Sequence, residues 1–100
     1  MEPEQQVQPR QIRHSAIVSV LGTTAPVLNA KILNLSEGRT QIWLDQPLRP
    51  ASLVGIEYSD NLLLGEVVFC QPQRSGWFVG IRVEHALLGM KALALAMGAR

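Results

Sequence analysis

Apolar residues recur at every second position through most of this chain. From Val27 to Leu35, Leu28, Ala30 and Ile32 fall on one face, with Asn29 and Lys31 on the other. A period of two with one polar face predicts a strand packed on a core from one side. Thr40 to Asp45 sets Ile42 and Leu44 against Trp43, and Leu53 to Tyr58 sets Val54, Ile56 and Tyr58 against Gly55 and Glu57. Trp77 to Glu84 puts Trp77, Val79, Ile81 and Val83 on one side and Phe78, Gly80, Arg82 and Glu84 on the other. Two runs rich in β-branched and other large apolar residues, His14 to Leu21 and Leu62 to Cys70, bring the strands to six. Gly65 inside the latter marks a bulge or a close approach of backbone.

The connections carry turn chemistry. Gly22-Thr23-Thr24, Ser59-Asp60-Asn61 and Gln71 to Gly76 read as turns. Gln46-Pro47-Leu48-Arg49-Pro50 reads as a loop, because neither proline can donate to a ladder. After Glu84 the period changes: Leu87, Met90, Leu93, Ala94 and Met97 recur at helical spacing, and Gly98 is a C-terminal stop. Lys91 is the only charge of that helix, which therefore needs a cover, either its own barrel or a partner, a second copy included. Residues 1–12 hold Pro3 and Pro9 and read as an arm. The expected organisation is a flexible arm over 1–12, a barrel over 13–84 and a helix over 85–98. Six short strands without crossover helices predict an all-β antiparallel sheet curled into a barrel or sandwich. Closure removes the exposed edges of an open sheet, and the helix would plug or flank one end.

One polar stretch interrupts the pattern: Asn34-Leu35-Ser36-Glu37-Gly38-Arg39. Asn, Ser and Gly make tight turns and leave amides, a hydroxyl and a carboxamide facing outward. Arg10 and Arg13 precede the first apolar run. Two readings are open on these residues alone. They form one binding surface, or they are an ordinary hairpin turn after a frayed tail.

Composition narrows the choice. The chain has 100 residues, 47% hydrophobic and 17% charged, which suits one folded domain. A formal net charge of +1 is too small for binding a nucleic-acid polymer or a membrane through bulk electrostatics. Aromatics are also too few for an oligonucleotide-binding barrel. Any anion has to be held by a few placed arginines. Cys70 is the only cysteine, so no internal disulfide forms, and within its apolar run it reads as an inert thiol. The start lacks signal-peptide character and no apolar run reaches membrane-spanning length, so a soluble, cytoplasmic protein is expected. Catalysis finds little support. His14 and His85 are far apart and lack a carboxylate cluster, Ser36 has no paired base, and phosphate-loop and dinucleotide fingerprints are missing. No catalytic residue, cofactor or metal ligand is assigned. Arginine, by contrast, offers a rigid fork to phosphate and a flat face to a base.

Arg10-Gln11-Ile12-Arg13-His14, then Asn34-Leu35-Ser36-Glu37-Gly38-Arg39, then Gly80-Ile81-Arg82-Val83 resemble the pattern of the PilZ domain family, the bacterial receptor module for cyclic di-GMP. The family pattern is Arg-x-x-x-Arg, then Asp/Asn-x-Ser-x-x-Gly, then a late strand with Gly-apolar-x-Phe. The resemblance spans about residues 10–97. It implies a six-stranded antiparallel barrel with a C-terminal helix. It also implies a non-catalytic cyclic di-GMP receptor that signals to an unidentified effector protein by ordering its arm. Carried over, Arg10 and Arg13 clamp guanine faces and phosphates, while Asn34, Ser36 and the Gly38 backbone hold a guanine edge. The chain departs from the pattern at three points. Its arginines are three apart rather than four, Arg39 stands where the last turn glycine is usual, and Val83 stands where Phe is usual. Arg39 either crowds the ligand or adds a third guanidinium. Family members with eroded motifs do not bind the nucleotide and act as adaptors through protein contacts, which is the alternative reading.

Overall fold

The structure is a computed structural model that describes residues 14–89. Six strands follow one another: β1 (His14–Val20), β2 (Leu28–Ser36), β3 (Arg39–Leu44), β4 (Leu53–Tyr58), β5 (Asn61–Gln73) and β6 (Gly76–Leu87). They close into one antiparallel barrel in the order β1-β2-β3-β6-β5-β4. β1 pairs with β4 to complete it, Val18 opposite Ile56 and Val20 opposite Val54. No described strand is left with both edges open, which answers the edge problem of a small sheet.

Alternation places the core inside. Val18, Ile32, Ile42, Leu44, Val54, Ile56 and Val79 are fully buried there, with Leu63, Val67 and Ile81 nearly so. Each such side chain contributes about 1.5–3 kcal/mol by leaving water. Leu48, from the loop between β3 and β4, joins this core, and its N–H donates to Cys70 Sγ at 3.4 Å. Cys70 is thus half-buried, packed against the core and an acceptor for the loop.

Two expected boundaries move. β5 runs on through Pro72, which lies opposite Trp77, so the turn between β5 and β6 shrinks to Arg74-Ser75. Past Val67, β5 has no described strand on its other side, and a missing N–H costs little at such an edge. β6 also continues beyond Glu84: His85, Ala86 and Leu87 pair with Leu64, Leu63 and Leu62. Residues 85–87, expected to open a helix, are therefore strand. Leu88 and Gly89 follow without regular structure. The remainder of the expected helix, 90–98, lies outside the described residues, as does the arm. Among the described residues, no helix is long and apolar enough to cross a membrane.

Candidate functional site

Three register shifts break the otherwise regular ladders. In β2, Ile32 faces Ile42 while Asn34 faces Gln41, so Leu33 is an extra residue. In β5, Val67 faces Ile81 while Phe69 faces Gly80, so Val68 is extra. In β6, Gly65 faces Val83 while Leu64 faces His85, so Glu84 is extra. Each extra residue changes which side chains look outward. Unbroken alternation from Ala30 and Ile32 would turn Asn34 and Ser36 inward; Leu33 as an extra residue reverses the phase. With it, Leu35 packs on the core, and Asn34 and Ser36 stand on the outer face. With Val68, both Val68 and Phe69 look outward and Cys70 returns to the core.

The first two shifts frame a pocket of about 160 Å³ on the outer face of the barrel. It is lined by Asn34, Ser36, Arg39, Thr40, Gln41, Val68, Phe69, Gly80 and Ile81. Cross-strand pairing explains the lining. One row crosses four strands as Asn34, Gln41, Gly80 and Phe69, and the next as Ser36, Arg39, Arg82 and Glu66. Gly80 is required here: a Cβ would run into the Phe69 ring, which lies over the glycine. Phe78 flanks Phe69 with ring centroids 5.8 Å apart. Beneath, Thr40 is buried, and its hydroxyl donates to the Asn34 carbonyl at 2.9 Å. That bond ties the bulged strand to β3 just where Asn34 turns outward.

The β2–β3 connection is a two-residue turn, Glu37-Gly38, closed by the Ser36–Arg39 pair. Gly38 takes φ +77°, the left-handed region that disfavours a side chain, and only at the second central position, as in a type II turn. Its carbonyl accepts the Val83 N–H at 3.0 Å, which fixes the turn to β6.

Of the six site residues expected from the sequence, Asn34, Ser36 and Arg39 line one pocket, and Gly38 forms the turn beside it. Arg10 and Arg13 lie outside the described residues. β1 begins at His14 opposite Ile32, so the chain enters the barrel at the end that carries Asn34 and Ser36. Thr40, Gln41, Val68, Phe69, Gly80 and Ile81 complete the lining and were missed by sequence reasoning. The signal for them was a change of phase: core-facing residues three apart, Ile32 to Leu35 and Val67 to Cys70, where two is regular.

The side chains of Asn34, Ser36, Arg39 and Gln41 make no hydrogen bond or ion pair among the described residues. A guanidinium, two carboxamides and a hydroxyl therefore border the pocket with their bonding capacity unspent, next to an aromatic ring. Such a set can grip an anion or the edge of a heteroaromatic ring. Arg82 differs, since it is held by Glu66 at 2.5 Å and Glu84 at 3.1 Å. His14 lies 5.9 Å from Tyr58, ring to ring, on another part of the barrel. Searches for related proteins add nothing to this geometry: no protein-family model matches the chain, and no curated protein matches it.

Proposed function

We propose that this chain is a non-catalytic receptor of the PilZ type, which binds cyclic di-GMP at the Asn34–Ser36–Arg39 pocket and passes the signal to an effector protein. The observation that carries the reading is the convergence of four unspent polar side chains on one small pocket with Phe69 as its wall. Arginine can bind guanine bidentately through O6 and N7, or a phosphate through the same fork. Asn34 and Gln41 supply both donors and acceptors for the rest of a purine edge. Arg10 and Arg13 would close over the ligand from the side where the chain enters β1. Charge-assisted contacts of about 1.5–3 kcal/mol each make two or three enough for micromolar binding after ordering costs.

Calorimetry of the native chain with cyclic di-GMP tests this, beside Arg13→Ala and Arg39→Gly. Saturable heat with a rise in melting temperature, both weakened in Arg13→Ala, is expected. No heat and no thermal shift at high micromolar nucleotide ends the reading. If the native chain is silent and Arg39→Gly binds, Arg39 blocks a site that is otherwise intact.

The adaptor reading draws on a different surface. Leu21, Leu62 and Leu64 gather over Gly55 on the outer face, and Leu21, Leu53 and Leu87 are exposed. Apolar strips of this kind mark protein contacts. Light scattering of native chain and Leu53→Lys decides whether this strip drives association. A monomer in both cases removes self-association from that reading.

A further inference from the structure

Arg39 and Arg82 are direct cross-strand neighbours, one on β3 and one on β6. Like charges so placed repel, and side chains in this relation lie within easy reach of one another. The two arginines are treated differently. Arg39 lines the pocket without a partner among the described residues. Arg82 does not line it, and the same guanidinium nitrogen donates to Glu66 and to Glu84. Glu66 is its cross-strand neighbour on the other side, and Glu84 is the extra residue of β6. The bulge at Glu84 thus brings a second carboxylate to an arginine that already had one.

Resting on the reading above, we infer that Arg82 is a reserve anion ligand of the Arg39 pocket, held back by Glu66 and Glu84. These two carboxylates then set how tightly the pocket holds a phosphate group. The charges support this. Arg39, Arg82, Glu66 and Glu84 sum to zero, because Arg82 with its two carboxylates carries a net −1 that offsets the charge of Arg39. The hold on Arg82 is also easy to release. Its side chain is 53% exposed and that of Glu84 43%, and solvent-exposed pairs are individually weak. A phosphate between β3 and β6 offers Arg82 a denser acceptor, and a bidentate one, in exchange. The ligand class is a phosphate ester or diester whose ring lies toward Phe69 and whose phosphate lies toward the rim at Arg82.

The test titrates inorganic pyrophosphate, and separately cyclic di-GMP, into the full chain at low and moderate salt. Arginine Nε–H signals are followed by NMR. The chains compared are native, Glu66→Gln/Glu84→Gln, and that double variant with Arg82→Gln added. In native protein the Arg39 signal moves first and the Arg82 signal follows it. In the double variant pyrophosphate binds several-fold tighter, with a steeper salt dependence, and the added Arg82→Gln removes the gain. An Arg82 signal that stays still while Arg39 moves overturns the inference. So does a double variant that binds pyrophosphate no better than native. Absence of pyrophosphate binding in every chain overturns it as well. If pyrophosphate behaves as expected and cyclic di-GMP is silent, the reserve ligand stands and the receptor reading falls. If cyclic di-GMP binds equally to native and double variant, the receptor reading stands and the reserve ligand falls.

Discussion

The two sides of this barrel are built by different rules. Where β1 meets β2 and β4, each ladder runs without a shift, and β4 meets β5 equally regularly. Where β2 meets β3 and β5 meets β6, extra residues interrupt the ladders. The regular side carries the larger hollow, about 380 Å³, lined by Ser15, Ala16, Ile17, Asn29, Glu57, Tyr58 and Ser59. The interrupted side carries the smaller one, about 160 Å³. Each hollow has carboxamide, hydroxyl and aromatic groups, but the larger has a carboxylate and no cation, while the smaller has a guanidinium and no carboxylate. Convergent chemistry, rather than volume, singles out the bulged side, and the bulges are what bring the chemistry together.

That contrast concerns the outer surface, and both sides share one interior. Ile42→Ala, beneath the pocket, and Ile56→Ala, beneath the regular side, should each lower unfolding free energy by about 2–5 kcal/mol. Urea unfolding reads both. A much smaller loss for Ile42→Ala would mean that the bulged side packs loosely and is not a rigid frame.

The glycines separate the sides more sharply. Gly80→Ala puts a methyl into the space of the Phe69 ring and should cost about 1–3 kcal/mol. Gly55→Ala, on β4, meets Leu64, Leu21 and Leu62 at 3.5–3.8 Å, ordinary packing, and should gain about 0.4–1 kcal/mol through the unfolded chain. Melting temperatures that fall together for both variants would contradict the difference in outer packing described above.

Thr40→Val keeps the shape and leaves the Asn34 carbonyl without its donor, which should cost about 1 kcal/mol. It should also loosen Asn34, seen as faster exchange of amides around the β2 bulge while those of β1 stay protected. Glu66→Gln should move stability by less than about 1 kcal/mol, because the pair with Arg82 is partly exposed. A large loss in denaturant melts would show that this pair holds the sheet together and is not free to exchange partners.

Four of the six strands follow from period-two patterning, and the other two from runs of large apolar residues, because a strand half-buried in a barrel turns every second residue to the core. Leu28, Ala30 and Ile32 needed no more than that, nor did Val54 and Ile56. The ends were harder. Leu87 reads at helical spacing with the residues after it, and the expected helix was opened at His85, but three pairings with β5 outweigh a local period. Pro72 reads as a turn residue, and only the open edge of β5 explains its place in a strand. For the site, Asn34, Ser36 and Arg39 stood out as a polar interruption. Phe69 and Gln41 did not, because a ring and a carboxamide on alternating strands become neighbours only after register is known.

Leu33 shows how the pocket gets its shape. Deleting that one residue would also leave Asn34 and Ser36 outside and Leu35 inside, since the bulge and the deletion both put Asn34 in the first outward place after Ile32. What would vanish is the surplus length. β2 carries one residue more than β3 between Ile32 and Asn34, and β5 one more than β6 between Val67 and Phe69. The pocket lined by Asn34, Val68 and Phe69 lies where these two insertions fall, so inserted length and side-chain identity are separate handles on it.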